Sequence, residues 1–355
     1  MSKMLDEIRE QPATLERTLA SQVAGIERLK KSLQRRRPRL ILLAARGTSD
    51  NAALFARYLL EITTGIPVSL AAPSIFTLYG AKVDFRECLA IAISQSGEST
   101  DTNIVLERAR AAGALTVGVT NEHRSSLARL AEYVFLVRAR RERSVAATKT
   151  YSGQLLAAYL LAYALGAAID LDDLRRLPEW TGSALRLEPQ VRALAGRYRF
   201  MQHAVVVGRG LNYANAFELA LKLMETCYVV AERFSSADLL HGPIAMVEPS
   251  FPVFLFTPGG VTWPAMREMA GKLHSMKAET LLIADKGNVE AGKIPSASVV
   301  IPARISRRLS RGLPMELYTP IPYIVPGQLL AACLAEEKGL DPDKPRSLTK
   351  VTRTL

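Results

Sequence analysis

The sequence predicts an α/β fold built twice over, each copy resting on a parallel sheet. Residues 40–45 and 89–93 are continuously apolar with no polar alternation, which suits strands buried on both faces. Each is followed by a polar or Gly-containing turn and then a helical pattern, the rhythm of a strand–helix–strand unit. The rhythm also recurs in the second half at matched spacing. Arg46-Gly47 is separated from Ser94 by 94 − 46 = 48 positions, and Arg209-Gly210 from Thr257 by 257 − 209 = 48.

In chain order, Leu15, Leu19, Val23, Ile26, Leu29 and Leu33 recur at helical spacing and predict an amphipathic helix over about 14–34. Arg35-Arg36-Arg37-Pro38-Arg39 breaks that pattern before the first strand, 40–45. A hydroxyl-and-glycine turn, Arg46 to Asn51, leads into a helix that stops at Gly65. Strands over 68–71, 89–93, 115–120 and 133–137 complete a five-stranded unit, with helices near 101–112 and 125–131 between them and one over 148–165 after them. Residues 170–192 read as a polar, Pro-containing connection. Strands then follow at 204–207, 253–256, 280–284 and 298–301. After Arg304 the chain is rich in proline, and a helix is expected near 327–338 before a polar tail.

At 355 residues, 48% hydrophobic and 23% charged, the chain suits two globular domains with real cores rather than a disordered protein. The charged N-terminal stretch lacks a signal-peptide core, and no apolar run approaches the roughly 20 residues of a membrane span. Cys88, Cys227 and Cys333 are odd in number and lie in apolar segments, so they read as buried thiols of a cytoplasmic protein. A net charge of +12 invites a nucleic-acid partner, but the basic residues are dispersed and not interleaved with stacking aromatics. An Arg-rich surface habit, helped by steering of an anionic substrate, accounts for it better. No Cys/His/carboxylate spacing resembles a metal site, no G-x-G-x-x-G marks a dinucleotide cofactor, and no G-x-S-x-G elbow is present.

The stretch Ser94-Gln95-Ser96-Gly97-Glu98-Ser99-Thr100 is the most informative. A buried strand, a hydroxyl-rich turn with one Gly and a helix N-terminus converge free N–H groups, hydroxyls and the helix dipole on one spot, a phosphate cradle. The same hydroxyls also suit a cap and a turn. The matching Thr257-Pro258-Gly259-Gly260 lacks the Ser-Gln-Ser set, so only the first copy carries a full phosphate loop. Glu218, Lys222 and Glu225 share a helix and could be solvent-facing i, i+4 and i, i+3 pairs. His241, in a Gly-Pro turn, is not distinguished by spacing from His123, His203 or His274.

Seven stretches, in order along essentially the whole chain, resemble the sugar isomerase (SIS) domain family. They are Glu7-Ile8-Arg9-Glu10-Gln11-Pro12, Gly47-Thr48-Ser49, Ser94 to Thr102, Val145-Ala146-Ala147-Thr148-Lys149, Ala220 to Glu225, His241-Gly242-Pro243 and Asp343 to Lys350. Within the family they look like the isomerase half of glucosamine-6-phosphate synthase and the stand-alone SIS-type glucosamine-6-phosphate deaminases. The resemblance implies two tandem flavodoxin-like SIS domains, each an α-β-α sandwich on a five-stranded parallel sheet. The expected organisation is an N-terminal helical segment (1–37), a first SIS domain with the phosphate loop (38–169), a linker (170–193), a second SIS domain (194–330) and a C-terminal tail closing over the active site (331–355).

The resemblance also assigns roles. Ser49, Ser94, Gln95, Ser96 and Ser99 match the positions that hold the sugar phosphate, and Thr48, Val145 and Ala147 those that line the sugar. Glu225 matches the carboxylate that shuttles a proton between C1 and C2, assisted by Lys222. His241 matches the ring-opening histidine contributed by the neighbouring subunit of a homodimer, and Lys350 the amine that forms a Schiff base with the ketose. Proton removal beside a carbonyl needs such a carboxylate, and a desolvated lysine can be partly neutral. No metal, cofactor, nucleic acid or membrane is implied.

Arg46 stands where the synthases have Cys, and Ser99 where they usually have Thr. The sequence starts directly at the isomerase half with Met1-Ser2 and no N-terminal Cys nucleophile, so a glutaminase segment is not expected. The expected activity is therefore a deaminase converting glucosamine 6-phosphate and water to fructose 6-phosphate and ammonia. The alternatives are a synthase-type aminotransferase fed with ammonia from elsewhere, a fructosamine-phosphate deglycase, and a non-catalytic sugar-phosphate sensor.

Overall fold

The computed structural model describes residues 2–350. Two helices open the chain, α1 (Lys3–Arg9) and α2 (Gln11–Arg35). The second begins three residues earlier than the periodicity suggests. Pro12 lies in its first turn, where the missing N–H would have no helical partner.

One compact unit comprises Ala13–Glu142, Lys149–Arg175 and the tail from Ser347. Its strands are β1 (Leu40–Ala44), β2 (Val68–Leu70), β3 (Cys88–Ile93), β4 (Leu115–Thr120) and β5 (Tyr133–Leu136). Helices α3 (Thr48–Thr64), α4 (Ser74–Thr77), α5 (Thr100–Ala111) and α6 (Ser126–Leu130) connect them, and α7 (Lys149–Ala164) follows. All pairings are parallel, in the order β2-β1-β3-β4-β5. Every residue of β3 and β4 is buried, as a strand covered by helices on both faces requires. Leu42, Ala44, Ala90 and Ala92, two apart on neighbouring strands, pack with Val105, Leu106 and Ala109 of α5.

The second unit holds the residues up to Pro12, Arg143–Thr148 and Arg176–Arg346. The connection between the halves is helical, α8 (Leu171–Leu185) and α9 (Glu188–Ala195). Then come β6 (His203–Gly208), α10 (Tyr213–Cys227), β7 (Val230–Ser235), α11 (Ser236–Leu240), β8 (Pro252–Phe256), α12 (Trp263–Ser275), β9 (Glu279–Asp285), β10 (Ala297–Ile301) and α13 (Pro320–Glu337). The order β10-β9-β8-β6-β7 is again all parallel and is the first sheet's topology repeated. Val205, Val207, Val253, Leu255 and Leu282 pack with Met266, Met269 and Leu273 of α12, as their counterparts pack with α5. Two tandem five-stranded parallel α/β domains are therefore present, as the sequence predicts.

Besides α8 and α9, which fill the connection read as polar, β7 and the start of α13 differ from the sequence expectation. β7 was hidden because Glu232 and Arg233 interrupt its apolar run, which an edge strand with one neighbour tolerates. α13 begins at Pro320 instead of near Gly327. Pro320 and Pro322 occupy its first turn, where no N–H is needed, and the helix is apolar and buried all round through Ala335. Among the described residues no helix is long and apolar enough to cross a membrane. The three cysteines are free and buried, and burial pushes each thiol up to about 11.

Gly208 ends β6 where the chain doubles back toward α10. A Cβ there would lie 2.4 Å from the backbone oxygen of Asn212 and 2.9 Å from the Cα of Tyr213. Backbone cannot rotate away, so Gly208→Ala is expected to destabilise the protein by about 1–3 kcal/mol. An unchanged urea midpoint would show that the turn is looser than described.

Candidate active site

The unit of the first sheet gathers the phosphate-loop residues at the C-terminal ends of β1 and β3, the edge at which open α/β sheets bind ligands. Gly47 turns the chain into α3 with φ +57°. Thr48, the first residue of α3, is half-buried, and the buried Ser49 Oγ accepts from Gln154 Nε2 at 3.0 Å. After β3, the Gly97 N–H donates to Ser94 Oγ at 3.1 Å and the Glu98 N–H to Ser96 Oγ at 3.3 Å. Ser99 Oγ and Thr102 Oγ1 share a hydrogen bond of 2.9 Å. Gly97 has φ +68°, and a Cβ on it would sit 2.2 Å from Ser125 Oγ, so this position excludes every other residue.

Charge around the loop is arranged with equal care. Asp101, in the first turn of α5, is 4% exposed and would repel an incoming anion. The Arg46 guanidinium meets its Oδ2 at 2.7 and 3.1 Å and offsets that charge. Gln95, Ser96, Arg124, Arg141, Glu142 and Lys350 help line an open cleft of about 410 Å³. At its wall the Lys350 Nζ donates to Glu142 Oε2 at 3.1 Å. Glu142 is buried and also accepts from the Thr150 N–H (3.2 Å) and hydroxyl (2.7 Å).

The other unit carries the remaining candidates. On α10, Lys222 is wholly buried, with its ammonium 3.6 Å from the equally buried Glu218 and 2.5 Å from Glu225, whose side chain is 22% exposed. The solvent-facing pair reading of this helix therefore fails. An ammonium taken out of water has to be paired, and here it holds one carboxylate inside the fold and a second at its edge. His241 caps α11 and is exposed, and no hydrogen bond joins it to Glu225 among the described residues. Val145 and Ala147 are half-buried on the strap 143–148, where the Val145 N–H reaches the Asp343 carbonyl at 3.5 Å. Glu7 of α1 anchors that strap by accepting from the Arg143 and Ser144 N–H groups. No group of three or more His, Cys, Asp or Glu side chains suited to a metal occurs among the described residues.

A family model described as SIS domain matches residues 35–164 and 200–305, one match on each sheet. The chain belongs to the SIS domain family. Glutamine–fructose-6-phosphate aminotransferase (isomerizing) of Pyrococcus horikoshii is 34% identical over 98% of the chain, and that of Methanothermobacter thermautotrophicus 35% over 98%. The chain spans 57% and 56% of the lengths of those two proteins. The C-terminal domain of glucosamine-fructose-6-phosphate aminotransferase from Francisella tularensis superposes with a TM-score of 0.87 at 27% identity, covering 97% of this chain and 98% of that one. Glucosamine-6-phosphate deaminase from Thermotoga maritima shares the fold, with a TM-score of 0.75 at 23% identity over 99% of this chain and 100% of that one.

The two SIS copies thus carry different sets of candidate residues. Ser94, Gln95, Ser96 and Ser99 lie on one loop, with Ser49 and Thr48 on the neighbouring turn. Lys222 and Glu225 form one cluster. Three further residues of this arrangement escaped sequence reasoning. Glu142 is the lone acid in Arg138-Ala139-Arg140-Arg141-Glu142-Arg143, a signal that was present and unused. Glu218 was set aside as a surface residue, and Gln154 sits in an apolar helix with no motif around it.

Replacing Lys222 by Met removes the cation that faces the buried Glu218 carboxylate. The variant is expected to lose about 3–5 kcal/mol of stability, checked by chemical denaturation. A loss below about 1 kcal/mol, the range of exposed pairs, would return the cluster to the surface. Gly97→Ala is expected to weaken fructose 6-phosphate binding at least tenfold by calorimetry. Retained affinity would remove the loop from the site.

Proposed function

We propose that this chain is a phosphosugar isomerase that deaminates glucosamine 6-phosphate to fructose 6-phosphate and ammonia. The observation that carries the reading is Glu225, a carboxylate at the rim of the fold held 2.5 Å from a wholly buried ammonium. Aldose–ketose interchange asks for a carboxylate that can take a proton beside a carbonyl and return it one carbon away. The loop Ser94 to Ser99 and the turn at Thr48-Ser49 supply the phosphate anchor, and Val145 and Ala147 line the sugar.

In this mechanism the exposed His241 imidazole moves the proton that opens the sugar ring. Glu225 removes the C2 proton of the open-chain aldose and delivers it to C1, which leaves a ketimine at C2. Water adds to that carbon, ammonia departs, and the ketose remains. Lys222 orients Glu225. Lys350 forms the Schiff base with an open-chain ketose, and Glu142, 3.1 Å from its Nζ, is the group positioned to take the proton its ammonium must first lose. Deamination is the favoured direction because water is abundant, while free ammonia at neutral pH is mostly the non-nucleophilic ammonium ion. The reverse, synthesis of glucosamine 6-phosphate, is the second reading, favoured by the aminotransferase names of relatives 34–35% identical. The functional form is a cytoplasmic homodimer in which each His241 serves the partner's site.

Purified protein is expected to release ammonia from glucosamine 6-phosphate, and Glu225→Gln to lose that activity while still binding the sugar phosphate. Ammonia release below the rate of product formation from fructose 6-phosphate and ammonium would favour synthesis. An active Glu225→Gln variant would overturn the assignment of the proton shuttle.

A further inference from the structure

The turn after β8 corresponds position by position to the phosphate loop after β3. Both are six residues long, 94–99 and 257–262, and each runs into a helix. One offset relates the copies: 47 + 163 = 210, 97 + 163 = 260 and 99 + 163 = 262. Gly47 and Gly210 share φ +57°, and Gly97 and Gly260 both have positive φ, +68° and +138°. Ser99 and Thr262 are both hydroxyl residues immediately before the helix. The second copy keeps the loop length, the two glycine positions and the hydroxyl before the helix, while its Ser-Gln-Ser sequence has gone and Thr262 is helical (ψ −16°) where Ser99 is extended (ψ 111°).

A side chain of the protein stands in it. The Glu316 carboxylate, on a residue only 2% exposed, accepts from the Val261 N–H, the Thr262 N–H and the Thr262 hydroxyl, each at 3.3 Å. A Cβ on Gly260 would lie 1.9 Å from Glu316 Oε2, so the backbone closes on the carboxylate as tightly as a glycine permits. Ser306 Oγ accepts from the neighbouring Gly259 N–H at 3.1 Å. Two backbone donors and a hydroxyl at the head of a helix of 13 residues are the elements of a phosphate site, and a buried carboxylate satisfies all three.

We infer that the second SIS copy retains a phosphate-type anion site that is permanently plugged by Glu316, so that the chain offers its substrate one cradle instead of two.

The test is inorganic phosphate binding to Glu316→Ala and Glu316→Gln beside the unaltered protein. Glu316→Ala is expected to bind one more phosphate per chain than the unaltered protein, and Thr262→Val in that background to remove the added site. Both Glu316 variants should gain more in Tm from phosphate than the unaltered protein does, with sodium chloride of equal ionic strength as the reference. Glu316→Gln keeps the volume filled and decides the matter if Glu316→Ala does not fold. A phosphate stoichiometry and a phosphate-specific Tm gain equal to those of the unaltered protein would overturn the inference. Because the added site is read as a difference, failure of the proposed deaminase activity leaves this result independent.

Discussion

A turn that gathers backbone N–H groups at the head of a helix needs acceptors for them, and the two halves of this protein meet that need with hydroxyls in one copy and a carboxylate in the other. Parallel sheets place such turns at the C-terminal ends of their strands, and the order 2-1-3-4-5 opens that edge beside the third strand. In the first copy the turn is lined with hydroxyls, and the nearby Asp101 carboxylate is offset by Arg46. In the second copy Glu316 supplies the charge from within the chain. Glycines 97 and 260 hold the corresponding place in both for a steric reason, since Ser125 Oγ and Glu316 Oε2 occupy the volume of any Cβ.

The second copy carries the buried charge cluster on which the proposed proton transfer rests. Lys222 is wholly buried, and Glu218 and Glu225 face its ammonium and offset its charge. The interior carboxylate fixes the ammonium, and the ammonium fixes the outer carboxylate at the protein's edge. A flexible surface glutamate would spend little time in any one geometry. Glu225 is held in one place by a charge that cannot leave.

Much of this was legible in the sequence. Continuous apolar runs at one repeated spacing revealed two parallel sheets, because strands buried on both faces carry no alternation. The phosphate loop was legible because strand, hydroxyl turn and helix are contiguous. What stayed hidden depends on residues far apart in the chain. Glu142 meets Lys350 across 208 positions, and Glu316 meets Thr262 across 54. The burial of Lys222 was hidden because i, i+3 and i, i+4 charges read as solvated until α13 is laid against α10, where Cys227 Sγ meets the Ala331 carbonyl at 3.2 Å. β7 was missed for the opposite reason, as an edge strand needs too little apolar surface to stand out.

The central claim is that a protein carboxylate moves a proton between C1 and C2 of a phosphorylated sugar, and isotope exchange reads that step without reference to nitrogen. Fructose 6-phosphate incubated with the protein in D2O and followed by proton NMR is expected to acquire deuterium at C1. A C1 methylene that keeps both protons, under conditions where the sugar phosphate is bound, would contradict the account.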